Sequence, residues 1–230
     1  MFRFHLSVVV IFIFNFLFCS NEDFNISTSR PGSFNPTSTI AIDKYQIELG
    51  INNNSNDDYL WIFGRKAVFE NHEFQLTTSS GYIAFGYMYG NIEINKRSES
   101  SIITTFNYDI KSKKIDNISF CFPFVYTLNK NLSLNSHINI NIDPDYDIDQ
   151  IQYSYAFAVN KSIFDNLVFF SEVYGNSGSI DNANESYFDL GLVYTTKSNL
   201  QFDVSAGASV NDNFNIEDYY FIELGFSFYL

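Results

Sequence analysis

The sequence predicts an all-β protein, an up-and-down antiparallel transmembrane β-barrel of about twelve strands. Apolar and polar residues alternate along most of the chain, no long apolar run follows residue 20, and aromatic residues make up 19% of the chain. The alternation continues to the last residue, Leu230. In a closed barrel the last strand pairs with the first, so no edge remains.

The alternation is clearest in the last third of the chain. In the run 201–210 every even position is apolar and every odd position is polar or glycine. The final run has one apolar face, made of Tyr220, Ile222, Leu224, Phe226, Phe228 and Leu230. Glu223, Gly225 and Ser227 share the opposite face, so the period of two predicts a strand with one apolar and one polar side.

The N-terminus predicts export. Arg3 precedes an apolar stretch from Leu6 to Phe18, which is shorter than the roughly 20 residues that a spanning helix needs. We therefore divide the chain into a signal peptide (1–20), an N-terminal periplasmic or lumenal segment (21–38) and a barrel (39–230). Lipidation of Cys19 is an alternative to simple cleavage.

Charge and cysteine content restrict the partners. Removal of residues 1–20 takes Arg3 and no acid, which leaves 12 basic and 26 acidic side chains and a formal charge of −14. Such a chain is a poor partner for nucleic acid. Cys121 alone remains besides Cys19, so the mature barrel forms no internal disulfide. No cofactor-binding motif occurs, and we expect no cofactor.

Runs with a period of two, bounded by Gly, Asn, Asp, Ser and Lys, predict twelve strands, with ten or fourteen as alternatives. Their predicted spans are 40–51, 58–64, 72–79, 82–94, 101–110, 117–127, 131–142, 150–159, 166–175, 187–196, 199–210 and 217–230. Longer polar loops at 52–57, 111–116, 143–149, 176–186 and 211–216 alternate with shorter turns at 128–130, 160–165 and 197–198. Outer-membrane barrels place long loops outside and short turns in the periplasm, which predicts the cell outer membrane as the location.

The predicted apolar face points outward to membrane lipid, and the terminal strand is the element that the outer-membrane insertion machinery would recognise. The outward residues are Tyr45, Ile47, Leu49, Ile51, Ile118, Phe120, Phe122, Phe124, Leu132, Leu134, Ile138, Ile140, Ile151, Tyr153, Tyr155, Phe157, Phe188, Leu190, Leu192 and Tyr194. Charged residues on the other face are hard to bury in a soluble sandwich, whereas a barrel places them in a wet or hydrogen-bonded lumen.

Several segments resemble one family. They are Ser29-Arg30-Pro31, the strand at 45–50, Phe170-Ser171-Glu172-Val173-Tyr174-Gly175, and a C-terminal block from Leu190 to Phe228. With these segments the chain resembles the outer-membrane transporters of the phenol-degradation meta-pathway family. The resemblance implies a barrel that admits small aromatic or other apolar molecules.

The candidate site is the barrel lumen. Its predicted residues are Arg30, Lys44, Gln46, Glu48, His137, Glu172, Asp189, Asp203 and Glu223. These side chains either form a constriction that selects permeants or form a structural network in which Arg30 pairs with carboxylates. The segment 21–38 lacks alternation and could lie inside the barrel and plug it.

Two other kinds of site, a calcium site and a catalytic site, each match part of the sequence. Asp143, Asp145, Asp147 and Asp149 alternate in one loop, a spacing that could hold Ca²⁺, but a solvated outer loop explains them as well. His137 with Ser119 or Ser133 would suggest a barrel lipase, yet no Gly-x-Ser-x-Gly motif occurs. We therefore expect no metal site and no enzyme.

The sequence is compatible with two functions. The first is passive transport of small, apolar or aromatic molecules, the permeant being unidentified. The second is a non-conducting surface barrel with a partner-binding or structural role.

Overall fold

The computed structural model describes residue 28 and residues 33–54, 58–144, 151–178, 185–196, 199–210 and 216–230. The predicted signal peptide, with Cys19, lies outside these residues. Twelve β-strands make up the regular structure of the described part. None of the described residues forms a helix long and apolar enough to cross a membrane.

The strands follow one another along the chain, as the sequence predicts. Their bounds are β1 (Tyr45–Asn54), β2 (Asp58–Phe69), β3 (His72–Ser79), β4 (Tyr82–Asn95), β5 (Ser98–Asp109), β6 (Lys114–Asn129), β7 (Leu132–Ile142), β8 (Gln152–Phe164), β9 (Leu167–Gly178), β10 (Glu185–Thr195), β11 (Leu200–Val210) and β12 (Ile216–Tyr229). The predicted strand number of twelve is therefore confirmed.

The twelve strands form one closed antiparallel barrel. Each strand pairs with its neighbours in sequence, and β1 pairs with β12 to close the ring, from Gln46 opposite Tyr229 to Asn54 opposite Phe221. Beyond this register, the backbone groups of Tyr45 and Leu230 exchange two hydrogen bonds. The C-terminal strand thus satisfies the edge that β1 would otherwise expose.

Side chains alternate between an outer apolar face and an inner face. On β10 the outward residues Phe188, Leu190 and Leu192 are 39–44% exposed, whereas the inward Asp189 is 1% exposed. On β12 the outward Ile222 and Leu224 are more than half exposed, and the inward Ser227 is fully buried. This is the outward apolar and inward polar pattern of a barrel surrounded by lipid.

The two ends of the barrel differ. At the end that holds both Tyr45 and Leu230, the connections at 70–71, 96–97, 130–131 and 165–166 are two residues long. At the other end the connections include 143–151 and 179–184. By the rule for outer-membrane barrels, the short turns mark the periplasmic end and the longer loops the extracellular end.

The first strand starts later than the sequence predicts. β1 begins at Tyr45 instead of residue 40, and Asp43 takes a positive φ of 67° in the turn just before it. Ile40 lies inside the barrel, where its backbone N–H donates to Glu73 Oε2 at 2.9 Å. The apolar character of Ile40 therefore reflects burial in the lumen, not membership of a strand.

The second strand is longer than predicted. It runs through Arg65 and Lys66 to Phe69 instead of ending at residue 64. Arg65 points inward and is 2% exposed, while the ammonium of outward Lys66 lies 4.1 Å from the ring centroid of Tyr45. Each charge has a partner within the barrel wall, so two adjacent charged residues do not end the strand. β8 likewise continues through the predicted turn at 160–165 to Phe164.

Gly191 shows how closely the inner wall is packed. A Cβ atom at Gly191 would lie 2.3 Å from the carbonyl oxygen of Val204 and 2.4 Å from the ring of Phe170. Phe170, from β9, is 3% exposed and covers the glycine. Only a residue without a side chain allows this approach.

We expect Gly191→Ala to destabilise the barrel by about 1–3 kcal/mol, because the methyl group must displace backbone or the Phe170 ring. Gly81→Ala is the matched control, since a Cβ there meets nothing within 4 Å. Urea unfolding in lipid vesicles, followed by fluorescence, measures both. Equal unfolding midpoints for Gly191→Ala and the unaltered protein would contradict the prediction.

Candidate functional site

The predicted lumen residues of β1 lie on the inner wall. Gln46 and Glu48 are fully buried, and Gln46 Nε2 donates a hydrogen bond to Glu48 Oε1 at 2.8 Å. Lys44 precedes β1, in the turn at the periplasmic rim, and is half-buried. Arg30 lies outside the described residues.

Besides Glu48 on β1, the acidic residues predicted for the lumen lie on four adjacent strands, β9 to β12. Glu172 and Asp189 are directly opposite each other on β9 and β10 and are 2% and 1% exposed. Asp203 on β11 is also buried, and Glu223 on β12 accepts a hydrogen bond from Asn52 of β1. The barrel therefore brings these carboxylates to one side of its interior.

His137, on β7, is 6% exposed and also faces the lumen. Its ring lies edge-on to Phe34, with 5.3 Å between the centroids. His137 Nδ1 has no hydrogen-bond partner among the described residues. The observed contact is therefore a packing contact and not a hydrogen bond to a serine.

The predicted calcium loop is described only at its start. Asp143 follows β7 at the extracellular end and is half-buried, whereas Asp145, Asp147 and Asp149 lie outside the described residues. Within the described part of the chain, no group of three or more His, Cys, Asp or Glu residues could hold a metal ion.

Residues 33–40, which we call the lumenal segment, run along the inner wall of the barrel. Their contacts are Ser33 N to Glu172 Oε1 at 2.6 Å, Phe34 to His137, Asn35 Nδ2 to Cys121 Sγ at 3.4 Å, Ser101 Oγ to Pro36 O at 2.9 Å, Asn91 N to Thr37 O at 2.8 Å, and Ile40 N to Glu73 Oε2 at 2.9 Å. As the chain advances, its partners move from β9 through β7, β6, β5 and β4 to β3. The segment therefore follows the wall around about half of the barrel.

The lumenal segment explains an apolar patch inside the barrel. Met88, Ile103 and Cys121 are inward-facing and at most 4% exposed, which would be costly in a water-filled channel. The contact between Asn35 and Cys121 places the segment over this patch. Residues 33–38, at the end of the predicted segment 21–38, therefore lie against the inner wall.

An ion pair that the sequence analysis missed anchors the segment at its C-terminal end. Arg65 Nε lies 2.7 Å from Glu73 Oε1, and Arg65 Nη2 contacts both Glu73 Oε2 and the carbonyl oxygen of Ser38 at 3.0 Å. Gln75 Nε2 also donates to Glu73 Oε1, at 2.9 Å. The carboxylate therefore holds the guanidinium and the lumenal segment together.

Above the segment, a cavity of about 860 Å³ extends to the extracellular end of the barrel. Ser33 and Asn35 lie at its floor. Its wall combines aromatic residues (Tyr59, Trp61, Phe63, Tyr82, Tyr174), amides (Gln75, Asn107, Asn117, Asn139, Asn141, Gln152) and carboxylates (Asp109, Asp116, Asp189, Glu223). We call this cavity the entrance chamber; two residues of the lumenal segment form part of its lining.

The fold is similar to those of solved porins. The KdgM porin matches with a TM-score of 0.61 at 8% identity, over 80% of this chain and 98% of the porin. The NanC porin matches with a TM-score of 0.60 at 11% identity and the same shares. A KdgM porin in complex with disordered oligogalacturonate gives 0.61 at 9% identity, again over 80% and 98%. No protein-family model and no curated protein matches the sequence.

The protein is an outer-membrane β-barrel. Identities near 10% establish this architecture and not a particular transporter family. The lumen of this barrel is acidic: its buried charged residues in the described part are Glu48, Glu73, Glu172, Asp189 and Asp203, with Arg65 as the one buried arginine or lysine.

Sequence reasoning missed Arg65 and Trp61 because their strand, β2, shows no clear alternation. It also missed Glu73, which lies on β3. The inward β2 residues Tyr59, Trp61 and Phe63 are aromatic, while the outward β2 residues Leu60 and Ile62 are aliphatic, so both faces are apolar. The pairing of β2 with β1 and β3 supplies the information that the residue pattern lacks. A search for opposite charges at inward positions of neighbouring strands would have found Arg65 and Glu73.

Proposed function

We propose that this outer-membrane barrel is a passive channel for small molecules, narrowed by its lumenal segment. The observation that carries the proposal is the cavity of about 860 Å³, which is open at the extracellular end and has Ser33 and Asn35 at its floor. A chamber of this size accommodates a small molecule, since ligand pockets typically measure about 300–1,000 Å³.

The chamber wall favours small permeants with an apolar or aromatic part. Tyr59, Trp61 and Phe63 provide apolar ring surface, and the amides around them provide hydrogen bonds. This composition supports the permeant class that the resemblance to the phenol-degradation family implies. The acidic lumen disfavours anions such as the oligogalacturonate present in the KdgM complex.

Transport is tested with the refolded mature chain, residues 21–230. Planar-bilayer recordings should show discrete conductance steps, and proteoliposomes should swell in arabinose. We expect phenyl β-glucoside to enter faster than sucrose, because its ring can lie against the aromatic wall. Protein-free liposomes are the control, and absence of both conductance and swelling with every solute would refute the channel.

The contacts of the lumenal segment favour a second function. Residues 33–40 contact strands all the way from β9 to β3, which favours a filled barrel. In that case the protein is a non-conducting surface barrel whose acidic loops bind a partner or stabilise the membrane. Loop deletions that alter cell adhesion but leave solute uptake unchanged would support this second function.

Both functions require the same contacts with the membrane and with the machinery that inserts the barrel. We propose that the apolar outer band contacts outer-membrane lipid, and that the insertion machinery recognises β12 during assembly.

A further inference from the structure

One strip of the inner wall combines aromatic rings with carboxylates. On β9, β10 and β12 the inward residues include Tyr174, Tyr187 and Tyr219, whose rings follow one another across the wall. The Tyr174 and Tyr187 rings stack with 5.2 Å between centroids, and Tyr187 meets Tyr219 at 5.9 Å. Glu172 and Asp189 lie next to these rings along the same strands. We call these five residues the acidic-aromatic strip.

Two carboxylates of the strip each have one oxygen without a hydrogen-bond partner among the described residues. Glu172 Oε1 accepts a hydrogen bond from Ser33 N, but Glu172 Oε2 and Asp189 Oδ1 have no hydrogen-bond partner among the described residues. The two residues are 2% and 1% exposed and stand directly opposite each other on paired strands. Like charges in this position repel, and a buried carboxylate without a partner is costly. Among the residues that the structure describes, none forms an ion pair with Glu172 or Asp189.

The strip is reached from the entrance chamber. Asp189 and Tyr174 line the chamber together with Glu223 of the neighbouring strand. A molecule that enters the chamber can therefore reach Asp189, which lies beside the contact between Ser33 and Glu172.

We propose that the acidic-aromatic strip binds a small organic cation, an amine or quaternary ammonium compound. The carboxylates supply the opposite charge, and the tyrosine rings supply faces that attract a cation by about 0.5–2 kcal/mol each. The rings favour an organic cation over a metal ion, which needs several converging oxygen ligands. This site rests on the proposed channel function, because it names the permeant class of that channel.

The chain's single tryptophan provides a direct binding assay. Trp61 lines the same chamber, so its fluorescence reports occupancy without any need for conduction. Choline is the probe, titrated into the refolded mature protein at constant ionic strength, with potassium chloride and glucose as comparison solutes. We expect a saturable change in Trp61 emission with choline and none with potassium chloride or glucose.

Two variants locate the site. Asp189→Asn should weaken choline binding by at least about tenfold, because it removes the charge that faces the chamber. Tyr187→Leu should weaken it by about two- to thirtyfold, because it removes one ring face. Asp165→Asn, in a periplasmic turn outside the strip, is the matched control and should bind as the unaltered protein does. The heat-dependent shift in gel mobility checks that each variant folds.

The outcomes separate this proposal from the channel. A protein that conducts ions but shows no saturable choline signal would remain a channel and would overturn the cation site. Equal affinity of Asp189→Asn and the unaltered protein would also overturn it. Saturable choline binding that depends on Asp189, in a protein without conductance, would support the site while refuting passive transport.

Discussion

Deletion of residues 21–40 is expected to raise the single-channel conductance several-fold. The lumenal segment follows the inner wall around about half of the barrel, with contacts to Glu172, Cys121 and Glu73, and its removal widens the path below the chamber. The barrel itself should persist, because strand pairing closes it without the segment. Recordings in planar bilayers compare the deletion variant with the chain 21–230.

The rate at which a maleimide labels Cys121 tests the same prediction independently. Cys121 is the single cysteine of the chain 21–230, it is 4% exposed, and it contacts Asn35. A membrane-impermeant maleimide should therefore label Cys121 slowly in the intact chain and rapidly after the deletion. Cys121→Ser is the control for unspecific labelling. Rapid labelling of the intact chain, together with unchanged conductance after the deletion, would contradict a segment inside the lumen.

The second large effect is expected at the buried ion pair. Arg65→Met leaves Glu73 buried with donors from Ile40 and Gln75 but without its countercharge. Glu73→Gln removes the carboxylate that Arg65 contacts through Nε and Nη2. Removal of one partner from a buried pair typically costs about 3–5 kcal/mol, so both variants should unfold at clearly lower urea concentrations than the unaltered protein.

A double variant and a surface variant make this test specific. Arg65→Met combined with Glu73→Leu removes both charges of this pair, and it should recover a large part of the stability that either single change removes. Glu93→Gln alters an exposed glutamate and should change stability by less than about 0.5 kcal/mol. Single variants as stable as Glu93→Gln would show that the ion pair contributes little.

The strands of the C-terminal half were predicted closely because their residue pattern is local. Apolar residues alternate with polar residues or glycine throughout β11 and over residues 188–192 of β10. The predicted spans 187–196 and 199–210 lie within two residues of the strands observed. Lipid outside and a polar lumen inside impose opposite requirements on successive residues. Such strands identify their faces before any pairing is known.

The strands of the N-terminal half were harder to predict, because their own residue pattern does not identify their two faces. The inner wall of β2 carries aromatic residues toward the chamber, and Arg65 pairs with a residue on the next strand, so neither face shows a simple pattern. Asn71 takes a positive φ of 66° in a two-residue turn that the sequence analysis placed in a longer loop. Arg65 and Lys66, before this turn, have the charge typical of loop residues, because their partners Glu73 and Tyr45 lie on other strands.

The sequence by itself determined the fold class and the side of the wall on which Gln46, Glu48, His137, Glu172, Asp189, Asp203 and Glu223 lie, because alternation is a property of neighbouring residues. It predicted about twelve strands, and the structure decided between ten, twelve and fourteen. Only the tertiary structure decided that β1 pairs with β12, that Arg65 meets Glu73, and that residues 33–40 follow the inner wall. The contact between Ser33 and Glu172 joins positions 139 residues apart. A segment without alternation carries no local signal for such a contact, because the inward residues of many separate strands together create its binding surface.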